Sequence, residues 1–260
     1  MREWRADGGS GPIHGAPVAP APGMPTPIAT PSDNLLLAVL DPVDRERIGR
    51  LLEPVDLPIG RVLYEPGEPI AHAYFPIAGV ISIVSEMDQG TVEVGTVGRE
   101  GMLGIPILLY SRSLATRAFM QVPGHGWRIP AEQLLEVTRE RPAVSRLLHR
   151  YIQALFDQVT QSVACNRLHT LEERCARWLL MVHDRVGDET LPLKQAFLAD
   201  MLGVHRPAVT LAAGALQKAG LIRYSRGKVH VLDRPGLLQA ACPCYLVVRE
   251  AFDRLLVRDG

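Results

Sequence analysis

From Ser32 onward, the spacing of apolar and polar positions divides the chain into three unlike stretches. The first holds two short helical signals. Ser32 or Asp33 precedes Leu-Leu-Leu-Ala-Val-Leu, and Asp41-Pro42 precedes a second run ending in Leu51-Leu52. Both have the polar start that satisfies the orphan amides of a helix. The next stretch, to about residue 130, lacks any long helical period. Short β-branched runs alternate there with turn signals at Ile59-Gly60, Pro66-Gly67, Ala78-Gly79, Gln89-Gly90, Val97-Gly98 and Pro123-Gly124. Val80–Val84 and Thr91–Val94 read as the arms of a hairpin, and Ala118–Val122 as a further strand. Strands this short, spaced by about 8–12 residues, predict a β-barrel or jelly roll.

After Pro142 the period becomes helical. Val144, Leu148, Tyr151, Leu155, Val159 and Ser162 follow at three- and four-residue steps, with Leu147, Ile152, Phe156 and Val163 widening the stripe. The pattern predicts a long helix reaching about Asn166. One stripe is expected to pack on the chain's own sheet and a second to face a partner, the arrangement of a dimer helix. Leu148, Tyr151, Leu155, Val159 and Ser162 are assigned to that dimer interface. A further amphipathic helix is expected over Leu171–Val186, with Trp178, Leu179, Val182 and Val186 on its apolar face.

Composition adds limits. Residues 1–31 are rich in proline and glycine and bury too little to offset their ordering entropy, so a disordered tail is expected there. The longest uninterrupted apolar run, Leu35–Leu40, is six residues, far below the ~20 of a membrane-spanning helix. The start of the chain shows no secretory pattern, and four cysteines in 260 residues make no disulfide framework, so the cytoplasm is the expected location. No Walker loop, Gly-x-Ser-x-Gly, His-Glu-x-x-His or Rossmann glycine fingerprint is present, and no enzyme is expected.

Charge is the more telling quantity. Over the whole chain it cancels, 28 basic against 28 acidic residues. Residues 32–131 carry eight arginines against twelve carboxylates, whereas residues 191–240 carry seven basic residues against Asp200 and Asp233. A neutral protein therefore contains a basic C-terminal module, the footprint of phosphate binding. Within it, Leu193–Leu202 reads as a short helix, Gly203 as a tight turn, and Pro207–Gly220 as a second helix entered through His205-Arg206. That is helix–turn–helix spacing, which lays the second helix in the major groove of DNA. Arg206 is the expected bidentate guanine reader, with His205 and Thr210 beside it. Arg223–Leu232 reads as a hairpin turning at Arg226-Gly227, a basic wing whose Arg226 and Lys228 suit backbone phosphates. Lys218 and Arg223 complete the expected DNA-binding set.

Barrel, long helix and winged helix–turn–helix in this order resemble the Crp/Fnr transcription regulators over about residues 32–240. Gly60, Gly67 and Gly79 match that family's turn glycines. Its phosphate-binding cassette is matched without a gap by Gly101-Met102-Leu103-Gly104-Ile105, then Pro106–Ser111, then Arg112-Ser113-Leu114-Ala115-Thr116-Arg117-Ala118. The resemblance implies an α+β protein: a cyclic-nucleotide-binding-like sensor domain (32–142), a dimerisation helix (143–168), a winged helix–turn–helix (169–240) and a C-terminal extension (241–260). It implies a homodimer on a palindromic double-stranded operator, with RNA polymerase as a candidate partner. The alternative from another class is a ligand-binding signalling module without DNA reading.

The departures bear on the effector. Gly101, Met102, Leu103, Arg112 and Ser113 are the candidate ligand residues, but Met102 stands where cyclic-nucleotide-responsive members carry the glutamate that accepts the ribose hydroxyl. An unpaired hydroxyl there costs on the order of 1–3 kcal/mol. Cyclic AMP is therefore not expected, and a small anionic or nucleotide effector stays open. In the recognition helix, Pro207 and Leu211 replace a glutamate and an arginine of the family, which implies a different operator. The first 160 residues contain no cysteine, so the N-terminal iron–sulfur cluster of Fnr-type members is not expected. Cys165 and Cys175 are too far apart along a helix for a bridge, and Cys242-Pro243-Cys244 lacks a second pair of ligands, so no metal is expected. His169 and Glu173, four apart, read as a surface pair.

Overall fold

A computed structural model describes residues 29–88, 90–187 and 190–257. Residues 1–28, most of the expected tail, lie outside this range. Asn34, one residue beyond the expected caps, starts α1 (Leu35–Ala38): its Oδ1 accepts from the Leu37 amide at 3.1 Å. Its buried Nδ2 donates to the carbonyls of Pro76 (2.8 Å) and Gly101 (3.0 Å), pinning the start of the fold to the sensor sheet. Asp41 caps α2 (Pro42–Gly49) as its Asp-Pro start suggests.

The sensor sheet comprises β1 (Glu53–Leu57), β2 (Val62–Tyr64), β3 (His72–Met87), β4 (Gly90–Val97) and β5 (Arg117–Pro130). The expected hairpin is present, with Val84 paired to Glu93 and Ile81 to Val97. Of the two expected forms, barrel or jelly roll, a closed barrel is not formed. The order is β1-β5-β3-β4, with β2 also on β5, and among the described residues the ladder does not close. Instead the long strands β3 and β5 curl, with register shifts at Pro76/Ala78, Ala78/Val80 and Val80/Ile81. Gly79 makes one of these bends possible: at φ +86° a Cβ there would sit 2.6 Å from the Val122 carbonyl oxygen. Between β4 and β5 lies α3 (Ile105–Leu108), and α4 (Ala131–Glu140) follows β5.

Helix α5 (Pro142–Leu168) runs 27 residues. Thr170 and Glu173 form a capping box that starts α6 (Leu171–Val186), so Glu173 serves the Thr170 amide and hydroxyl rather than pairing with His169. Then come β6 (Thr190–Leu191), α7 (Gln195–Leu202), α8 (Arg206–Lys218), β7 (Ile222–Ser225) and β8 (Lys228–Val231). The chain closes with α9 (Arg234–Ala240) and α10 (Cys244–Leu255). No described helix is long and apolar enough to cross a membrane.

The last helix changes the reading of α5. It packs along α5, with Tyr151 against Phe252 at 6.3 Å between ring centroids. Leu148, Tyr151 and Leu155 are buried at 2%, 1% and 8% exposure within a single chain. They are core residues, not the dimer surface assigned to them, and Val159 and Ser162 are half-buried beside them. The large apolar side chains that α5 leaves in solvent are Phe156 (61% exposed), Val163 (68%) and, at its last residue, Leu168 (76%).

Candidate nucleic-acid interface and sensor pocket

The helix–turn–helix follows from local rules. Gly203 adopts φ +63°, the left-handed cap that ends α7, and Pro207 occupies the first turn of α8, where no amide partner is lost. Val209, Ala212, Ala213 and Leu216 face inward, and the opposite face of α8 is open to solvent. His205, Arg206, Thr210, Lys218, Arg223, Arg226 and Lys228 are all exposed. Among the described residues none of the five cationic ones joins an ion pair. The Thr210 hydroxyl is partly committed, lying 3.1 Å from both Gln195 Oε1 and the Arg206 carbonyl. Leu211, which the residue assignment passed over, is 75% exposed on the same face. An apolar side chain at that position suits a thymine methyl.

The wing is a two-residue hairpin closed by the pair Ser225–Lys228. Arg226 and Gly227 have φ +50° and +75°, the geometry that matches strand twist and favours glycine or asparagine. An arginine held there costs roughly 1–2 kcal/mol. It places an exposed guanidinium at the tip of the wing.

The sensor residues are distributed differently. Gly101, Met102 and Leu103 are core positions, with Met102 fully buried. Tyr151 of α5 donates its hydroxyl to the Met102 carbonyl at 2.7 Å, and a Cβ on Gly101 would lie 2.4 Å from the Tyr151 ring. The cassette is thus packed tightly on the long helix. Arg112 is exposed in the loop after α3 and Ser113 is half-buried, while the Arg112 carbonyl accepts from the Ile70 amide at 2.9 Å. The five candidate ligand residues therefore fall into an interior group and a surface group.

Sensor and DNA-binding portions meet along β4. Glu93 accepts from Trp178 Nε1 of α6 and from the Ser82 hydroxyl, each at 2.7 Å, and desolvation by burial raises its pKa to about 7. Arg185 of α6 donates to Glu100 at 2.8 Å and to Gln158 Oε1 of α5 at 3.1 Å. Gln158 Nε2 in turn donates to the Thr96 carbonyl at 3.1 Å. Phe197 of α7 stacks edge-on against Phe119 of β5 at 6.2 Å. These contacts run from the cassette through α5 and α6 to the helix–turn–helix. The expectation that Cys242 and Cys244 have no further ligands nearby also fails, since Cys165 and His169 at the end of α5 approach both.

Comparison with known proteins agrees with this division. Residues 54–141 match the cyclic nucleotide-binding domain family, and residues 173–240 match the Crp-like helix-turn-helix domain family. A CRP-like cAMP-activated global transcriptional regulator of Mycobacterium tuberculosis is 24% identical over 198 residues, 73% of this chain and 88% of that protein. Among solved structures, a Crp/Fnr-family regulator from Eubacterium rectale superposes with a TM-score of 0.63 at 20% identity, covering 79% of this chain and 96% of the other. The c-di-GMP responsive global regulator CLP of Xanthomonas campestris gives 0.61 at 18%, covering 74% and 99%.

Proposed function

This chain belongs to the Crp/Fnr family of transcription regulators, and from that premise we propose that it acts as a homodimer on a palindromic operator without cyclic AMP as its effector. The observation that carries the reading is the unpaired, exposed cationic set on α8 and the wing, backed by an otherwise acidic sensor half. In the same reading Arg206 takes a base edge, Lys218, Arg223, Arg226 and Lys228 take phosphates, and Leu211 takes a thymine methyl. Two copies meeting through Phe156 and Val163 of α5 would present two recognition helices to half-sites about one helical turn apart. A contact with RNA polymerase belongs to this reading as well.

Met102 supports the view of the effector. It fills core volume at the position where a ribose hydroxyl needs an acceptor, and a thioether accepts poorly. The effector class that suits the exposed Arg112 is a small anion met without a ribose contact. Any such signal has a route outward, from the cassette through Tyr151 to α5 and through Glu100 and Arg185 to α6.

The test is selection of ligand-free protein on a random duplex pool at two salt concentrations. Enrichment of a palindrome with half-sites about 10–11 base pairs apart is expected. Arg206→Ala should relax preference at one position per half-site, whereas Lys228→Ala should weaken all sequences alike and lower the salt slope by about one. Absence of DNA binding at low salt would sink the reading in favour of a signalling module.

A further inference from the structure

Three of the four cysteines gather at one place outside the main core. Cys165 lies on the last turn of α5, and Cys242 and Cys244 flank Pro243 at the turn between α9 and α10. The three are 0%, 2% and 1% exposed and form a small cluster of their own. His169, four residues after Cys165, caps the end of α5 on the same face. Cys165 Sγ is 3.4 Å from Cys242 Sγ, and Cys244 Sγ is 3.5 Å from His169 Nδ1. All four ligand atoms lie within 4.8 Å of one another.

We propose that Cys165, His169, Cys242 and Cys244 form a mononuclear, tetrahedral site for a divalent transition-metal ion, Zn²⁺ by chemistry. With Zn–S near 2.3 Å, tetrahedral ligand atoms sit about 3.8 Å apart, so the four atoms need only small side-chain shifts to close on one ion. A multi-iron cluster does not suit this spacing, since its thiolates sit on different irons around an inserted core. The donor set, three thiols and one imidazole, is that of a closed structural zinc site.

The surroundings support an anionic centre. Cys244 Sγ also accepts from Gln161 Nε2 at 3.0 Å. Arg177, 7% exposed, reaches Ser162 Oγ with Nη2 at 2.9 Å, while its Nε and that of Arg174 are buried without a hydrogen-bond partner. Three neutral thiols give these guanidiniums nothing to balance. A Zn²⁺ ion with three thiolates and a neutral imidazole carries one net negative charge, and buried arginines beside it are complementary. Binding is balanced by release of three thiol protons to solvent, with no change of oxidation state. The ion would join the end of α5, the joint into α6 and the start of α10, fixing the C-terminal helix to the element that carries the helix–turn–helix.

The test uses the full chain, purified under thiol reductant, stripped with a chelator and titrated with Co²⁺, then Zn²⁺. One Co²⁺ per chain is expected, with thiolate-to-cobalt charge transfer and the intense visible bands of tetrahedral coordination, displaced by one equivalent of Zn²⁺. Zn²⁺ should also raise the melting temperature of the wild type. Cys242→Ser and His169→Ala should each weaken Zn²⁺ binding at least about tenfold. Three results would overturn the site: no tetrahedral cobalt spectrum in the wild type, a Cys165–Cys242 disulfide in the reduced preparation, or purification with several irons and sulfide per chain. The wild-type spectrum decides the matter even where a variant fails to fold.

Discussion

Replacing Phe156 by alanine separates the two faces of α5. The side chain is 61% exposed in the protomer, whereas Leu148, two turns earlier on the other stripe, is 2% exposed. Full burial of a phenylalanine is worth about 1.5–3 kcal/mol, so covering what Phe156 leaves exposed is worth about 1–2 kcal/mol per copy. A two-fold interface uses it twice, so the dimer should lose about 2–4 kcal/mol, roughly 30- to 1,000-fold in dissociation constant. The protomer itself should be little affected, within about 0.5 kcal/mol, because few of its own contacts are removed. Leu148→Ala should do the reverse, costing about 2–5 kcal/mol of folding stability by opening a cavity. Sedimentation velocity over a concentration series reads the dimer, and thermal melting at a concentration where both variants are monomeric reads the fold. An unchanged dimer constant in Phe156→Ala, or a wild type that is monomeric throughout, would refute the assignment of this face.

Other consequences follow from the same geometry. Arg226→Gly should relieve the left-handed backbone and raise wing stability by up to about 1 kcal/mol, yet weaken DNA binding and lower the salt slope by about one; unchanged DNA affinity would remove the argument from strain. Gly101→Ala sets a Cβ 2.4 Å from a Tyr151 ring that is itself 1% exposed, so unfolding free energy should fall by about 1–3 kcal/mol in a denaturant titration. Glu93 is raised to about 7 by desolvation, so the folded chain keeps a proton that the unfolded chain releases near pH 4.3. This group's contribution to stability should fall as pH rises through that window and level off above about 7, and Glu93→Gln should flatten that part of the melting profile. Cyclic AMP, titrated calorimetrically into the full chain, should give no saturable heat if Met102 has removed the ribose contact.

Much of this fold could be read before any coordinates. The β3–β4 hairpin, the long helix, α6, and the sequence of short helix, glycine turn, Pro-started helix and basic hairpin all announce themselves through local chemistry. Their signals are of short range: a period, a cap, a left-handed glycine, a cluster of one charge. The same locality explains the exposed polar set on α8, because an amphipathic helix of 13 residues has only one polar side to offer.

What the tertiary structure decided is which of several equivalent partners each surface meets. Periodicity shows that α5 is apolar on more than one side, but it cannot rank the stripes. The choice depends on tertiary partners such as α10, which comes after the wing in sequence and returns to pack on α5 with Phe252 against Tyr151. Barrel closure was likewise beyond local signals, since it depends on where the bulges of β3 and β5 aim the strand ends. The cysteine cluster is the clearest case. A pair two residues apart and a Cys–His pair four apart, separated by more than seventy residues, are each too weak to specify a ligand set. Only the packing of α10 on α5 brings the two half-sites to one point.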